Sequence, residues 1–163
     1  MDELPTVYVE TSLLSYLAAR PSTNLIVAAQ QQISHEWWEL RHSSYRLFVS
    51  DLVTDEAARG NPTAAQKRLD IAAQMLHLDL DDESDYLTEL ILKSGTIPEK
   101  AAADAAHVAV ATRHAIDFLL TWNCRHIANA TIMRRLSELV SGEGYELPTI
   151  CTPYGLLGRY YPL

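Results

Sequence analysis

Short apolar runs of strand length alternate along this chain with longer stretches of helical periodicity. The runs lie at residues 7–10, 46–50, 78–80 (a weaker one), 117–122 and 149–151. Strands separated by helices are typical of a parallel sheet that is covered by crossover helices. The sequence therefore predicts an α/β protein, a three-layer α/β/α sandwich around a central, mainly parallel sheet of about five strands.

Helical patterns occupy most of the intervals between these runs. We expect helices at residues 12–19, 25–41, 52–59, 63–76, 83–93, 98–114 and 123–141. The turn "RPSTN" supplies capping side chains, and "RGNP" supplies a glycine stop followed by a proline start. No repeat, low-complexity tract or linker divides the sequence, so we expect a single domain over residues 1–163.

Composition narrows the classes of protein that fit this pattern. No run approaches the roughly 20 apolar residues of a membrane span, and the acidic start "MDELPTVYVE" is unlike a signal peptide, which predicts a cytoplasmic protein with no membrane partner. Cys124 and Cys151 form no CxxC pair, so we expect free thiols. A net charge of −8 argues against a protein that coats nucleic acid, but a carboxylate metal site would still recruit phosphate.

The first candidate residue ends the strand run in "TVYVETSLLSYL". Glu10 follows the apolar residues directly and precedes a helical pattern. In one interpretation the strand simply emerges into water there, since lone charges are usually solvated. In the other, Glu10 belongs to a site, because open α/β sheets bind ligands beyond the carboxyl ends of their strands.

Two further acids lie on helices with apolar neighbours. In "FVSDLVTDEAARG", Glu56 shares a helix side with Leu52 and Val53, whereas the neighbouring Asp55 is expected on a solvated face. In "EKAAADAAHVAVATRHA", Asp104 shares a face with Val108 and must be paired, protonated or bound to something.

Three positions also allow a purely structural interpretation. Asp104 could form a salt bridge with Lys100 or an arginine, and His107, one turn later, is interpreted as a core residue. In "DFLLTWNCRHIANA", Asn123 follows the fourth strand run, where it either caps the next helix or faces the other strand ends.

Taken in order, these four places resemble the PIN-domain family, and especially the VapC-type toxin ribonucleases of toxin-antitoxin pairs. "YVETSLLSYL" looks like the first strand and acid of the family, "VSDLVTDEAARG" the second, "DAAHVAVA" the third and "LLTWNCRHIAN" the fourth. The order and spacing of the four pieces are more specific than any piece alone.

The resemblance implies an endoribonuclease that depends on Mg²⁺ or Mn²⁺. Glu10, Glu56 and Asp104 would hold the metal directly or through water, and Asn123 would orient a water molecule. The family pattern usually has aspartate at the first and fourth positions. Glutamate keeps the carboxylate, but asparagine removes a charge, so a catalytically weakened module that binds RNA or protein is the alternative.

The resemblance also implies partners and substrate contacts. Thr11 and Ser12 would lie beside the first acid, and Arg20 and Arg125 are candidates for holding RNA phosphates. The family implies a structured RNA substrate, a cognate antitoxin protein and a homodimer.

The acidic segment "LDLDDESDYLTEL" does not fit a calcium site. A helix-loop-helix calcium site that began at Asp79 would need glycine where this chain has Ser84 and glutamate where it has Leu90. Asp81 and Asp82 are instead expected to cap the following helix.

Overall fold

A computed structural model describes residues 3–158, which form one five-stranded sheet flanked by helices. In chain order the strands and α-helices are β1 (Thr6–Val9), α1 (Thr11–Ala18), α2 (Leu25–Arg41), β2 (Arg46–Ser50), α3 (Asp51–Ala57), α4 (Pro62–Ala72), β3 (Leu76–Leu78), α5 (Asp82–Lys93), α6 (Ala102–Arg113), β4 (Phe118–Leu120), α7 (Ala130–Ser141) and β5 (Thr149–Cys151). Short 3₁₀ helices cover His42–Ser44, Glu99–Ala101 and Pro153–Leu156.

All neighbouring strands of the sheet run parallel, in the order β3-β2-β1-β4-β5. In the central strand β1, Val7 pairs with Leu47 on one side and with Phe118 on the other. The chain builds outwards from β1 to β3 and then returns to the opposite side of β1. This confirms the expected α/β class. The strand order reverses between β1 and β4, because later strands are added on the opposite side of β1.

The helices divide into two groups on the two faces of the sheet. Helix α1 packs against α2, α3 and α4, whereas α5 packs against α6 and α7. Because parallel crossovers are right-handed, a reversal of strand order moves the later helices to the other face. The result is the three-layer arrangement that the alternating pattern predicts.

The core lies on both faces of β1. Val7, Tyr8 and Val9 are fully buried, as expected for a central strand of a parallel sheet. Helix α6 buries a run of small side chains that includes Val108 and Ala109. Small side chains let the backbone of this helix lie close to its neighbours, and the helix carries Asp104 at its start.

Helix starts follow the capping residues. Asn24, Asn61 and Asn129 each accept hydrogen bonds from two backbone N–H groups of α2, α4 and α7. Asp81 caps α5 in a reciprocal capping box with Ser84, which confirms the helix-cap interpretation of the acidic segment.

Several predicted boundaries are wrong, for identifiable reasons. The seventh helix begins at Ala130 instead of residue 123, because Asn129 is its cap and a turn precedes it. Asn123 is therefore not an N-cap. The third strand lies at Leu76–Leu78, two residues earlier than expected, because Asp81 already caps the next helix. The helix expected at 98–114 is a 3₁₀ turn followed by α6.

Both cysteines are free thiols, with Cys124 exposed and Cys151 half-buried. The adjacent tryptophans differ: Trp37 is fully buried, and half-buried Trp38 stacks on His42.

Within residues 3–158, none of the helices combines the length and apolar character needed to cross a membrane.

Candidate active site

The candidate site lies at the carboxyl edge of the sheet, where β1 and β4 meet. Glu10 follows β1 and Thr121 follows β4, and the Glu10 N–H donates to the Leu120 carbonyl at 3.1 Å. The strand order reverses between these two strands. Ligands of open α/β sheets bind in the crevice at such a switch point.

Glu10 is the N-cap of α1 and is 5% exposed. Its Oε2 accepts hydrogen bonds from the Ser12 N–H at 3.0 Å, from the Ser12 hydroxyl and from the Thr121 hydroxyl at 2.8 Å. Its Oε1 accepts none from the part of the chain that the structure describes. A carboxylate at a helix N-terminus is also stabilised by the helix dipole.

Glu56 reaches the site from α3 and is half-buried. Its Oε1 accepts a hydrogen bond from Thr11 Oγ1 at 3.0 Å and another from His107 Nε2. Burial acts to raise the pKa of Glu56. The hydrogen bonds from His107 and Thr11 and the positive charge of Arg59 outweigh burial, so the pKa lies below its usual value. Asp55 is exposed, as expected.

Asp104 lies in the first turn of α6 and is half-buried. Its Oδ2 is 2.9 Å from Nδ1 of His126, so its partner is a histidine instead of Lys100 or an arginine. The Asp104–His126 pair explains why a carboxylate is tolerated on the alanine-rich face of α6.

Asn123 lies in the turn after β4 and forms hydrogen bonds with Thr121 and His126. Its backbone N–H donates to Thr121 Oγ1 at 2.9 Å, and its side-chain Oδ1 accepts from the His126 N–H at 3.0 Å. The same Thr121 hydroxyl donates to Glu10, and the same His126 binds Asp104. Asn123 thus holds the turn between two of the carboxylates.

These contacts close into a ring. Six of its steps are hydrogen bonds. The other two steps follow the backbone, from Asp104 to His107 along one turn of α6 and from Thr11 to the adjacent Glu10. The ring passes in order through Glu10, Thr121, Asn123, His126, Asp104, His107, Glu56 and Thr11, which is adjacent to Glu10. The structure therefore brings the four main candidate residues, from four separate segments, into one network.

The three carboxylates leave oxygen atoms that a divalent cation or its waters could use. Each of the three carboxylates uses one oxygen in the ring, and Glu10 Oε1, Glu56 Oε2 and Asp104 Oδ1 accept no hydrogen bond from residues 3–158. In this range no three His, Cys, Asp or Glu side chains converge as a metal site would require. Mg²⁺ keeps several waters and takes only one or two protein carboxylates, so the residues fit a largely water-mediated ion.

The residues expected to contact substrate fall into two groups. Thr11 and Ser12 are in the network, where their hydroxyls bind Glu56 and Glu10. Arg20 and Arg125 are exposed, the first after α1 and the second in the turn after Asn123. The ring does not include either arginine.

Sequence reasoning missed the polar side chains that organise the acids. His107 was interpreted as a core residue, and neither His126 nor Thr121 was identified as a site residue. One signal was available for His107, because a residue three positions after Asp104 lies on the same helix face. Thr121, at the end of a strand next to the acid-bearing strand, offered a weaker signal.

Comparison with known proteins gives structural neighbours. No family model and no curated protein matches the sequence. VapC20 of Mycobacterium tuberculosis, a Sarcin-Ricin loop cleaving toxin, superposes with a TM-score of 0.56 and 16% identity, covering 74% of this chain and 92% of that one.

Two further solved structures are also similar. FitAcB from Neisseria gonorrhoeae has a TM-score of 0.54 and 16% identity, covering 91% of this chain and 99% of that one. FitAB bound to an IR36 DNA fragment has a TM-score of 0.52 and 17% identity, covering 91% of this chain and 96% of that one. At these identities the likeness concerns the fold, and the chain shares a PIN-like α/β fold with VapC20 and the FitAB proteins.

Proposed function

We propose that this protein is a metal-dependent endoribonuclease and the toxin of a type II toxin-antitoxin pair. The observation that carries the proposal is the ring that joins Glu10, Glu56, Asp104 and Asn123 at the switch point of the sheet. The ring joins three carboxylates in one network, and a bound cation would offset the repulsion between their negative charges.

Each acid has a defined part in the proposed reaction. Glu10 and Asp104 hold Mg²⁺ or Mn²⁺ directly or through water, and Glu56 completes the negative cluster. A bound ion of this kind lowers the pKa of a water and neutralises charge on the phosphate. Asn123 keeps the turn after β4 in place, and its amide is available to orient a water molecule.

The surrounding hydroxyls and arginines complete the proposed substrate site. Ser12 and Thr11 hold the carboxylates in fixed orientations through one oxygen each. Arg20 and Arg125 are exposed, which suits binding of RNA phosphates by the planar guanidinium group. These contacts offset the repulsion that a net charge of −8 exerts on RNA.

The structural neighbours suggest the type of substrate and partner. VapC20 is a Sarcin-Ricin loop cleaving toxin, which supports a structured RNA as the substrate class. The FitAB neighbours support an antitoxin partner for this chain, and we propose a homodimer as the assembled toxin. Small-angle scattering of the purified protein tests the dimer, because a monomer would give half the expected mass.

A second candidate function is a module that binds RNA or protein without cleaving it. It is favoured by the absence of a three-ligand metal cluster in residues 3–158 and by asparagine at the fourth position. Thermal denaturation with and without Mn²⁺ separates the two functions. A nuclease gains stability as it binds the ion, and the binding module does not.

The nuclease proposal is tested by incubating the protein with a sarcin-ricin loop RNA and with tRNA in Mg²⁺, Mn²⁺ or EDTA. We expect cleavage with either metal, none in EDTA and none with Asp104→Asn, which preserves side-chain volume and removes the charge. Asp55→Asn is the matched control, because Asp55 is an exposed acid adjacent to Glu56.

Three results would contradict the proposal. They are cleavage that persists in EDTA, an Asp104→Asn variant as active as wild type in Mn²⁺, and the loss of activity in Asp55→Asn as well. The last result would indicate a dependence on overall charge instead of a defined site.

A further inference from the structure

His107 is a buried histidine with a different partner on each ring nitrogen. Its side chain has no solvent exposure, and it lies one turn after Asp104 on α6. Nε2 bonds to Oε1 of Glu56, and Nδ1 is 2.7 Å from the Tyr8 hydroxyl. That hydroxyl is in turn 2.8 Å from Ser50 Oγ.

The partners fix which nitrogen carries the proton. A carboxylate has no proton to donate and only accepts hydrogen bonds, so Nε2 of His107 is the donor in its bond to Glu56. A ring that carries its single proton on Nε2 has a lone pair on Nδ1, so Nδ1 accepts from the Tyr8 hydroxyl. The bonds therefore run in one direction, from Ser50 through Tyr8 and His107 to Glu56.

Glu56 needs such support because of where it lies. It is the sixth residue of the seven-residue helix α3, its side chain is 27% exposed, and a glutamate side chain has three rotatable bonds. Thr11 and His107 both bind the same oxygen, Oε1. The other oxygen is left for the cation or its waters.

We propose that His107 is a positioning residue that fixes the orientation of the Glu56 carboxylate at the candidate active site. The inference rests on the proposed nuclease function. It differs from a packing role, in which His107 would only fill space with both nitrogens satisfied. Residues that orient metal ligands through a hydrogen bond typically contribute about 10- to 100-fold to metal affinity or activity.

Two amide substitutions separate positioning from packing. In His107→Gln the side-chain N–H takes the place of Nε2, which keeps the donor to Glu56 and loses the acceptor for Tyr8. In His107→Asn the side-chain oxygen takes the place of Nδ1, which keeps the acceptor for Tyr8 and loses the donor to Glu56. A packing role predicts similar behaviour for both variants.

The experiment measures Mn²⁺ affinity by calorimetry and Mn²⁺-dependent cleavage of sarcin-ricin loop RNA in wild type and both variants, with thermal unfolding as the check of fold. We expect His107→Asn to lose about 10- to 100-fold in affinity and in kcat/KM, and His107→Gln to stay within about threefold of wild type. Equal losses in the two folded variants, or no loss in either, would overturn the inference.

A second measurement holds even where a variant does not fold. Long-range ¹⁵N–¹H spectra of the wild-type protein without metal should show His107 as the Nε2–H tautomer, and the Glu56→Gln substitution should shift that resonance. The Nδ1–H tautomer, or no shift, would overturn the inference whatever the activity. A wild-type protein that neither binds Mn²⁺ nor cleaves RNA, but shows the expected tautomer, would overturn the proposed function alone.

Discussion

Glu10 shows at the residue scale how a charge can follow directly after a buried strand. Three donors surround one of its oxygens, two from Ser12 and one from Thr121, so hydrogen bonds compensate the part of its charge that lies on Oε2. Its place at the strand end was predictable, because it directly follows the apolar run. Its partner Thr121 lies 111 residues away, and no local pattern predicts such a contact.

The same limit applies to the other acids. Sequence pattern identified Glu56 and Asp104 from their apolar helical neighbours. Their histidine partners are 51 and 22 residues away, and the packing of α3, α6 and the turn after β4 brings them together. The sequence therefore predicts acids on partly apolar helix faces, but it does not predict how each acid is held.

Asn123→Asp should tighten Mn²⁺ binding, because it adds a carboxylate beside the network while an oxygen remains to accept the His126 N–H bond. Calorimetry measures the change. Asn129→Asp is the matched control, since it adds the same charge at the N-cap of α7, a position where aspartate also caps well. Equal gains in the two variants, or an unchanged affinity in Asn123→Asp, would place Asn123 outside the site.

At the scale of elements, helix starts were predictable wherever a capping side chain precedes the helix, as Asn24 and Asp81 do. The error at residue 123 arose from two asparagines that both suit a cap. Asn123 makes a turn and Asn129 makes the cap, and only tertiary contacts with Thr121 and His126 decide between them. Strand β3 was misplaced for a different reason, because Asp81 already caps the helix that follows it.

Asp81→Asn should change the pH dependence of stability. The hydrogen bond from the Ser84 N–H, and then the charge of Arg113, hold the pKa of Asp81 below its usual range. The ionised carboxylate therefore stabilises the folded state above the unfolded pKa of about 3.9, and this stabilisation is lost as pH falls through the folded pKa. Asparagine keeps the cap and removes the titration. Urea unfolding should show wild type more stable at pH 7, with the difference narrowing below about pH 4. A difference that is constant with pH would contradict this.

Ala115→Gly should stabilise the end of α6. Ala115 has φ of 52°, in the left-handed region, and the Ile116 N–H donates to the Ala111 carbonyl at 3.1 Å in a C-terminal cap that usually contains glycine. Relief of that strain exceeds the entropy cost of glycine, so we expect a gain of about 0.5 kcal/mol in urea unfolding.

The control for Ala115→Gly is Ala29→Gly, at an exposed position inside α2, which should lose about 1 kcal/mol. A loss of stability in both variants would show that the strain at residue 115 is already relieved.

At the scale of the whole molecule, the assembly of the candidate active site depends on strand order more than on any one motif. The alternation of strands and helices predicts a parallel sheet, but it does not by itself give the order β3-β2-β1-β4-β5. That order sets β1 beside β4, so that the residues after both strands meet at one edge. The family resemblance anticipated this meeting, and the strand pairing gives its physical basis.

The central claim is that Glu10, Glu56 and Asp104 form one cation site. Crystals of the wild-type protein soaked in Mn²⁺ and measured at the manganese absorption edge test it most directly. The account predicts one strong anomalous peak next to the free oxygens of Glu10 and Asp104, and its loss in Asp104→Asn crystals. A peak elsewhere in the molecule, or none at a saturating Mn²⁺ concentration, would contradict it.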